Sequence, residues 1–125
     1  MDIVNQMLAR YERSTAEQTT NALREVMQEI ALAGLQRGGF FEKAAFYGGT
    51  CLRIFHDLPR YSEDLDFSLL APEKNFRLDH YFDHLRQEFA SLGFEIEGLG
   101  LGWIVLPPTS TSLHLAGLMR LQGVK

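Results

Sequence analysis

The sequence predicts an α/β (α+β) domain with a small mixed sheet flanked by helices. Three observations predict it. Apolar residues recur at helical spacing in two long segments. Short apolar or alternating segments lie between and after them, as strands do. The resulting order is helix, strand, helix, strand, helix, strand. A chain of 125 residues fits one domain, and it is long enough to bury roughly two-thirds of its unfolded surface.

Taken in order, Met1 to Arg10 reads as a short helix. Ser14-Thr15-Ala16-Glu17 has the capping-box pattern. Leu23, Val26, Met27 and Ile30 follow at helical spacing until Gly38-Gly39 stops the run, which gives a helix of about six turns. Lys43 to Tyr47 is short and apolar enough for a buried strand. Thr50 to His56 reads as a short helix with Leu52 and Phe55 facing inward. Leu65 to Leu70 reads as a second strand ended by Pro72. Leu78, Tyr81, Phe82, Leu85, Phe89 and Leu92 mark a further helix, stopped by Gly93. Phe94 to Glu97 alternates as a strand.

Beyond Glu97 the composition changes. Residues 98–125 hold no Asp or Glu, and five of the eleven glycines fall there. The expected organisation is a core over 1–97 and an atypical Gly/Pro-rich tail over 98–125. Within the tail, Trp103 to Leu106 fits a strand, Pro107 to Ser112 a loop and Leu113 to Leu121 a short helix.

Charge and composition narrow the function classes. The net charge of -4 supplies no global basic field for nucleic acid. The one cysteine, Cys51, excludes an intrachain disulfide framework and points to a reducing, cytoplasmic setting. No basic-then-apolar leader opens the chain and no run of about 20 apolar residues exists, so neither a signal peptide nor a membrane span is expected.

The chemistry concentrates in "FYGGTCLRIFHDLPRYSEDLDF". Gly48-Gly49 between a strand and a helix leaves backbone N–H groups open to close approach, and the helix N-terminus adds partial positive charge. That combination suits phosphate, with the Thr50 hydroxyl beside it. Such a turn also occurs for purely structural reasons. Asp64 and Asp66, two apart on a strand, share a face, while Leu65 and Phe67 point into the core. Paired carboxylates repel unless a cation lies between them, and hard oxygen donors suit Mg²⁺ or Mn²⁺. Two solvated acids on an exposed strand are the alternative. Arg60 and Ser62, just before the acids, fit phosphate contacts.

Elsewhere the ordinary explanation wins. His80 and His84 share a helix face but lack the glutamate of a metalloprotease helix. Cys51, near a helix N-terminus where a thiol pKa can fall, fits a buried small residue better. Tyr47 and Trp103 can stack on a base, though core packing suits them better.

Gly48-Gly49-Thr50, thirteen residues, then Asp64-Leu65-Asp66 resembles the signature of the DNA polymerase beta-like nucleotidyltransferase superfamily. The longer string, with Arg60, Ser62, Asp64, Leu65, Asp66 and Phe67 in step, resembles the AbiEii/AbiGii toxin family more closely. The likeness covers about residues 14 to 97. It implies a nucleotidyltransferase fold and the toxin of a bacterial type IV toxin–antitoxin or abortive-infection system. Such a protein transfers a nucleoside monophosphate from NTP with Mg²⁺ (or Mn²⁺), to an acceptor such as the tRNA 3′ end or a protein, and has a cognate antitoxin. By the same resemblance Gly48, Gly49 and Thr50 bind phosphates with Arg60 and Ser62, and Asp64 and Asp66 are catalytic and ligate metal.

The superfamily adds a third carboxylate from a later strand; the last acids here, Glu95 and Glu97, sit on a candidate strand where either could face the site, but they come earlier than that acid is expected. A truncated or frameshifted reading frame is therefore expected. Two other readings stay open: a catalytically inactive fragment that binds nucleotide or a protein partner, and a glycosyltransferase that uses Asp-x-Asp to hold a nucleotide sugar.

Overall fold

A computed structural model describes residues 3–62, 64–74, 76–99, 102–106 and 115–124, with side chains described as far as Ile96. Helix α1 (Ile3–Leu8) precedes the long helix α2 (Ala16–Arg37). The capping box at the start of α2 sits one residue later than the sequence pattern places it. Thr15 is the N-cap and accepts from the Gln18 backbone N–H, and the Gln18 side chain accepts from the Thr15 N–H. Gly38 caps the C-terminus, and Gly39 turns the chain away with φ 80°.

A 3₁₀ turn over Phe40–Glu42 leads into β1 (Ala44–Tyr47), then α3 (Gly48–His56), β2 (Asp64–Glu73) and α4 (Asp79–Ser91). Strands β3 (Glu95–Leu99), β4 (Gly102–Leu106) and β5 (Leu115–Val124) follow. The five strands form one mixed sheet in the order β1-β2-β5-β4-β3. Only β2 and β5 run parallel; the other neighbours are antiparallel.

The sheet and helices make the α+β architecture that the sequence predicts. Leu65, Phe67 and Leu69 on β2 join Val26, Ile30 and Leu35 of α2 and Phe82, Leu85 and Phe89 of α4 in a single core. Phe40 is fully buried at its centre, edge-on to Phe67 at 4.9 Å and to Tyr81 at 5.2 Å. Each such side chain contributes about 1.5–3 kcal/mol of transfer free energy, so the β2 strand is firmly seated from its apolar side.

Three expectations are corrected. Residues 115–124, read in part as a helix, form β5. Pro72 does not end β2, which runs on to Glu73; the β2–β5 register slips between Ser68 and Glu73, and that irregular stretch accommodates a residue without an N–H. Leu52 and Phe55 do not face inward: they are 48% and 66% exposed. The inner side of α3 is instead polar, carrying Thr50 and Arg53. The predicted loop over Pro107–Ser112 lies outside the described residues. Among the described residues, no helix is long and apolar enough to cross a membrane.

Candidate nucleotide-binding site

The site begins where β1 becomes α3 without a loop. Tyr47 is extended and is the N-cap of α3, but no side chain caps the helix. The first turn is Gly48-Gly49-Thr50-Cys51, so its N–H groups keep their capacity to donate. Gly48 has φ 86°. A Cβ there would fall inside contact distance of Asp66 Oδ2 and 3.1 Å from Asp66 Cβ and Cγ. The glycine is thus required twice, by its backbone conformation and by the carboxylate that lies against it.

Antiparallel pairing sets Tyr47 opposite Asp66. Asp66 is only 5% exposed, and Asp64 is half-buried. Leu65 and Phe67, fully buried, take the opposite face. Both carboxylates are thus displayed beside the N-terminus of α3.

Thr50 is fully buried, and its hydroxyl donates to the backbone carbonyl of Asp64. It therefore ties α3 to the acid strand. Ser62 is half-buried, with its Oγ 3.1 Å from where a Cβ on Gly49 would lie. The structure thus brings Gly48, Gly49, Thr50, Ser62, Asp64 and Asp66 together. Arg60 is exposed in the connection leading to them, and among the described residues no ion pair holds it.

The connection from α3 to β2 is held from outside itself. Arg53 donates from Nε to Glu25 Oε2 at 2.9 Å, and from Nη1 to the carbonyls of Leu58 at 3.0 Å and Pro59 at 3.1 Å. Its guanidinium lies 4.0 Å from the centre of the Tyr61 ring. Glu25, buried in α2, also accepts from Tyr11 Oη at 2.7 Å. Gln28, one turn on and buried, donates to the Ser62 carbonyl at 2.8 Å. Burial by itself would lower the Arg53 pKa, but the hydrogen bond and charge of Glu25 more than reverse this, and the net direction is up. Burial foremost, then the bond and charge of Glu25, pushes Tyr11 upward.

Sequence reasoning missed Glu25, Gln28 and Arg53. The signal was present: two polar residues three apart stand within the apolar stripe of α2, where a buried polar group needs a partner.

The remaining candidates fall away from this site. Burial raises the Cys51 pKa, opposite to the fall that a helix N-terminus can cause. His84 packs over Gly38, His80 is exposed, and their rings lie 5.9 Å apart. Among the described residues, no group of three His, Cys, Asp or Glu is arranged to hold a metal ion. The side chains of Glu97 and Trp103 lie outside the described residues. On the strand parallel to the acids, Leu118 is in register with Asp64 and Arg120 with Asp66.

Two carboxylates on one strand face are hard donors, in the number that Mg²⁺ accepts from protein when substrate phosphates complete its shell. The donor set therefore fits a divalent cation. A protein-family model, the nucleotidyl transferase AbiEii toxin of a type IV TA system, matches residues 30–102. No curated protein matches the chain.

Proposed function

The chain belongs to the AbiEii nucleotidyltransferase toxin family of type IV toxin–antitoxin systems, and from that premise we propose that it transfers a nucleoside monophosphate from an NTP to an acceptor such as the tRNA 3′ end. The reading is supported chiefly by the abutment of Gly48 on Asp66, which makes an anion-binding turn and a carboxylate pair into one site. In this reading the open N–H groups of Gly48 and Gly49 cradle the triphosphate at the positive end of α3. Arg60 and Ser62 orient it from the adjoining loop. Thr50 fixes the acid strand to the turn through the Asp64 carbonyl.

Asp64 and Asp66 would hold Mg²⁺ or Mn²⁺, which neutralises charge on the phosphates and on the leaving pyrophosphate. The reaction belongs in the cytoplasm, where NTP and tRNA are found, and a cognate antitoxin would restrain it.

A second reading is favoured by one observation: the residues in register beside the acids are Leu118 and Arg120, not a third acid. In it, the chain binds nucleotide or a protein partner without turnover. One experiment separates the two. The chain is incubated with Mg²⁺, each α-labelled NTP and total tRNA, beside Asp64→Asn. Label on tRNA or on protein, lost in the variant, establishes transfer. Nucleotide binding with no label from folded protein establishes the second reading. Absence of both nucleotide binding and label overturns transfer and nucleotide binding alike, and leaves the protein-partner form of the second reading.

A further inference from the structure

We infer that Arg53, anchored by Glu25, is a positioning residue for the nucleotide site, a role that rests on the reading of Arg60 and Ser62 as phosphate contacts. Between the end of α3 and the start of β2 the described backbone bonds are those of Asp57 and Leu58, whose N–H groups both donate to the Leu52 carbonyl at the helix end. The shape of the connection must come from side chains elsewhere. Arg53 supplies most of it by gripping the carbonyls of Leu58 and Pro59 and covering the Tyr61 ring. Gln28 pins the far end at Ser62.

The anchor is itself held. Glu25 is buried on the long helix and is held from its other oxygen by Tyr11. Arg53 makes an ion pair with Glu25 at 2.9 Å. Arg60 and Ser62 are thus carried on a short span clamped at both ends to α2, and the distance from that span to Gly49 is set by the clamp. A planar guanidinium with donors in a fixed fork can serve Glu25 and two carbonyls at once; a lysine ammonium on a flexible stem cannot.

The test uses Arg53→Lys, which keeps the charge and loses the fork, and reads the loop and the ligand separately. Trypsin cleavage after the exposed Arg60 should accelerate at least about fivefold under native conditions, since cleavage follows the population of the released loop. Cleavage after Arg37, on α2, should not change. Binding of each NTP with Mg²⁺ should weaken by about tenfold, or 1.4 kcal/mol. On an Arg60→Ala, Ser62→Ala background, the same substitution should cost less than about twofold, because residues acting through one another are not additive.

Unchanged cleavage after Arg60 would overturn the inference, and so would losses that multiply. Accelerated cleavage in a protein that binds no NTP would instead support the clamp and overturn only the nucleotidyl-transfer reading. Should Arg53→Lys not fold, Glu25→Gln carries the same comparison, keeping the shape of the anchor while removing its charge.

Discussion

Gly48→Ala tests the site where backbone and carboxylate constrain one residue together. At φ 86° any side chain meets the left-handed penalty, about 1–2 kcal/mol. The new methyl would also meet Asp66, at 3.1 Å from its Cβ and Cγ and closer still to Oδ2. Asp66 is short and buried, so its carboxylate has little room to swing aside. Moving it adds roughly 1–2 kcal/mol of the kind seen when a packed site is overfilled. The sum is about 2–4 kcal/mol, or a fall in Tm of roughly 8–16 °C at about 4 °C per kcal/mol.

Gly49→Ala is the internal control. Gly49 lies inside α3 without a positive φ, and its new methyl would meet only Ser62, at 3.1 Å from a rotatable Oγ. Its cost should stay below about 1 kcal/mol, since alanine also favours the helix. Urea denaturation of both variants at one pH decides the matter. Equal losses, or a Gly48→Ala loss below about 1 kcal/mol, would refute the argument that the acid strand and the turn are sterically interlocked.

Three further outcomes are expected. Thr50→Val should cost about 0.5–1.5 kcal/mol by removing the bond to the Asp64 carbonyl, while Thr50→Ser keeps the bond and most of the stability; chemical denaturation measures both. Cys51 should react with iodoacetamide more slowly than free cysteine at the same pH, because burial raises its thiol pKa; an equal rate would refute this. The Tyr11 pKa is raised in the folded chain, so above the ordinary value of about 10 the unfolded chain gives up a proton that the folded chain keeps. The contribution of this group is therefore fully present below about pH 10 and declines as pH rises past it, and Tyr11→Phe should flatten the fall in urea midpoint between about pH 9 and pH 11.

Much of this was legible in the sequence, and the failures have physical causes. Helices α2 and α4 announce themselves because each buries one apolar stripe, and β2 because Asp64 and Asp66 alternate with Leu65 and Phe67. β5 did not, because Leu115, Leu118 and Leu121 are spaced as a helix would space them. α3 was placed correctly and oriented wrongly. Its apolar residues suggested the buried side, yet its inner side is secured by hydrogen bonds from Thr50 and Arg53. The glycine turn and the acids were readable as types in a spacing. The span that carries Arg60 and Ser62 was not, since its shape depends on Glu25 and Gln28, more than thirty residues upstream.

The sheet order has a kinetic corollary. β2 has β1 on one side, reached through α3 and a short connection, but its other neighbour is β5, whose Leu118 meets Asp64 after roughly fifty intervening residues. Until that distant segment arrives, one side of β2 presents unpaired N–H and C=O groups, open to any passing strand. Closing so large a loop is slow relative to forming the helices or the β3–β4 hairpin. The strand that bears the carboxylates is therefore completed late, and refolding at high protein concentration should divide between native closure and capture of that edge by a second molecule.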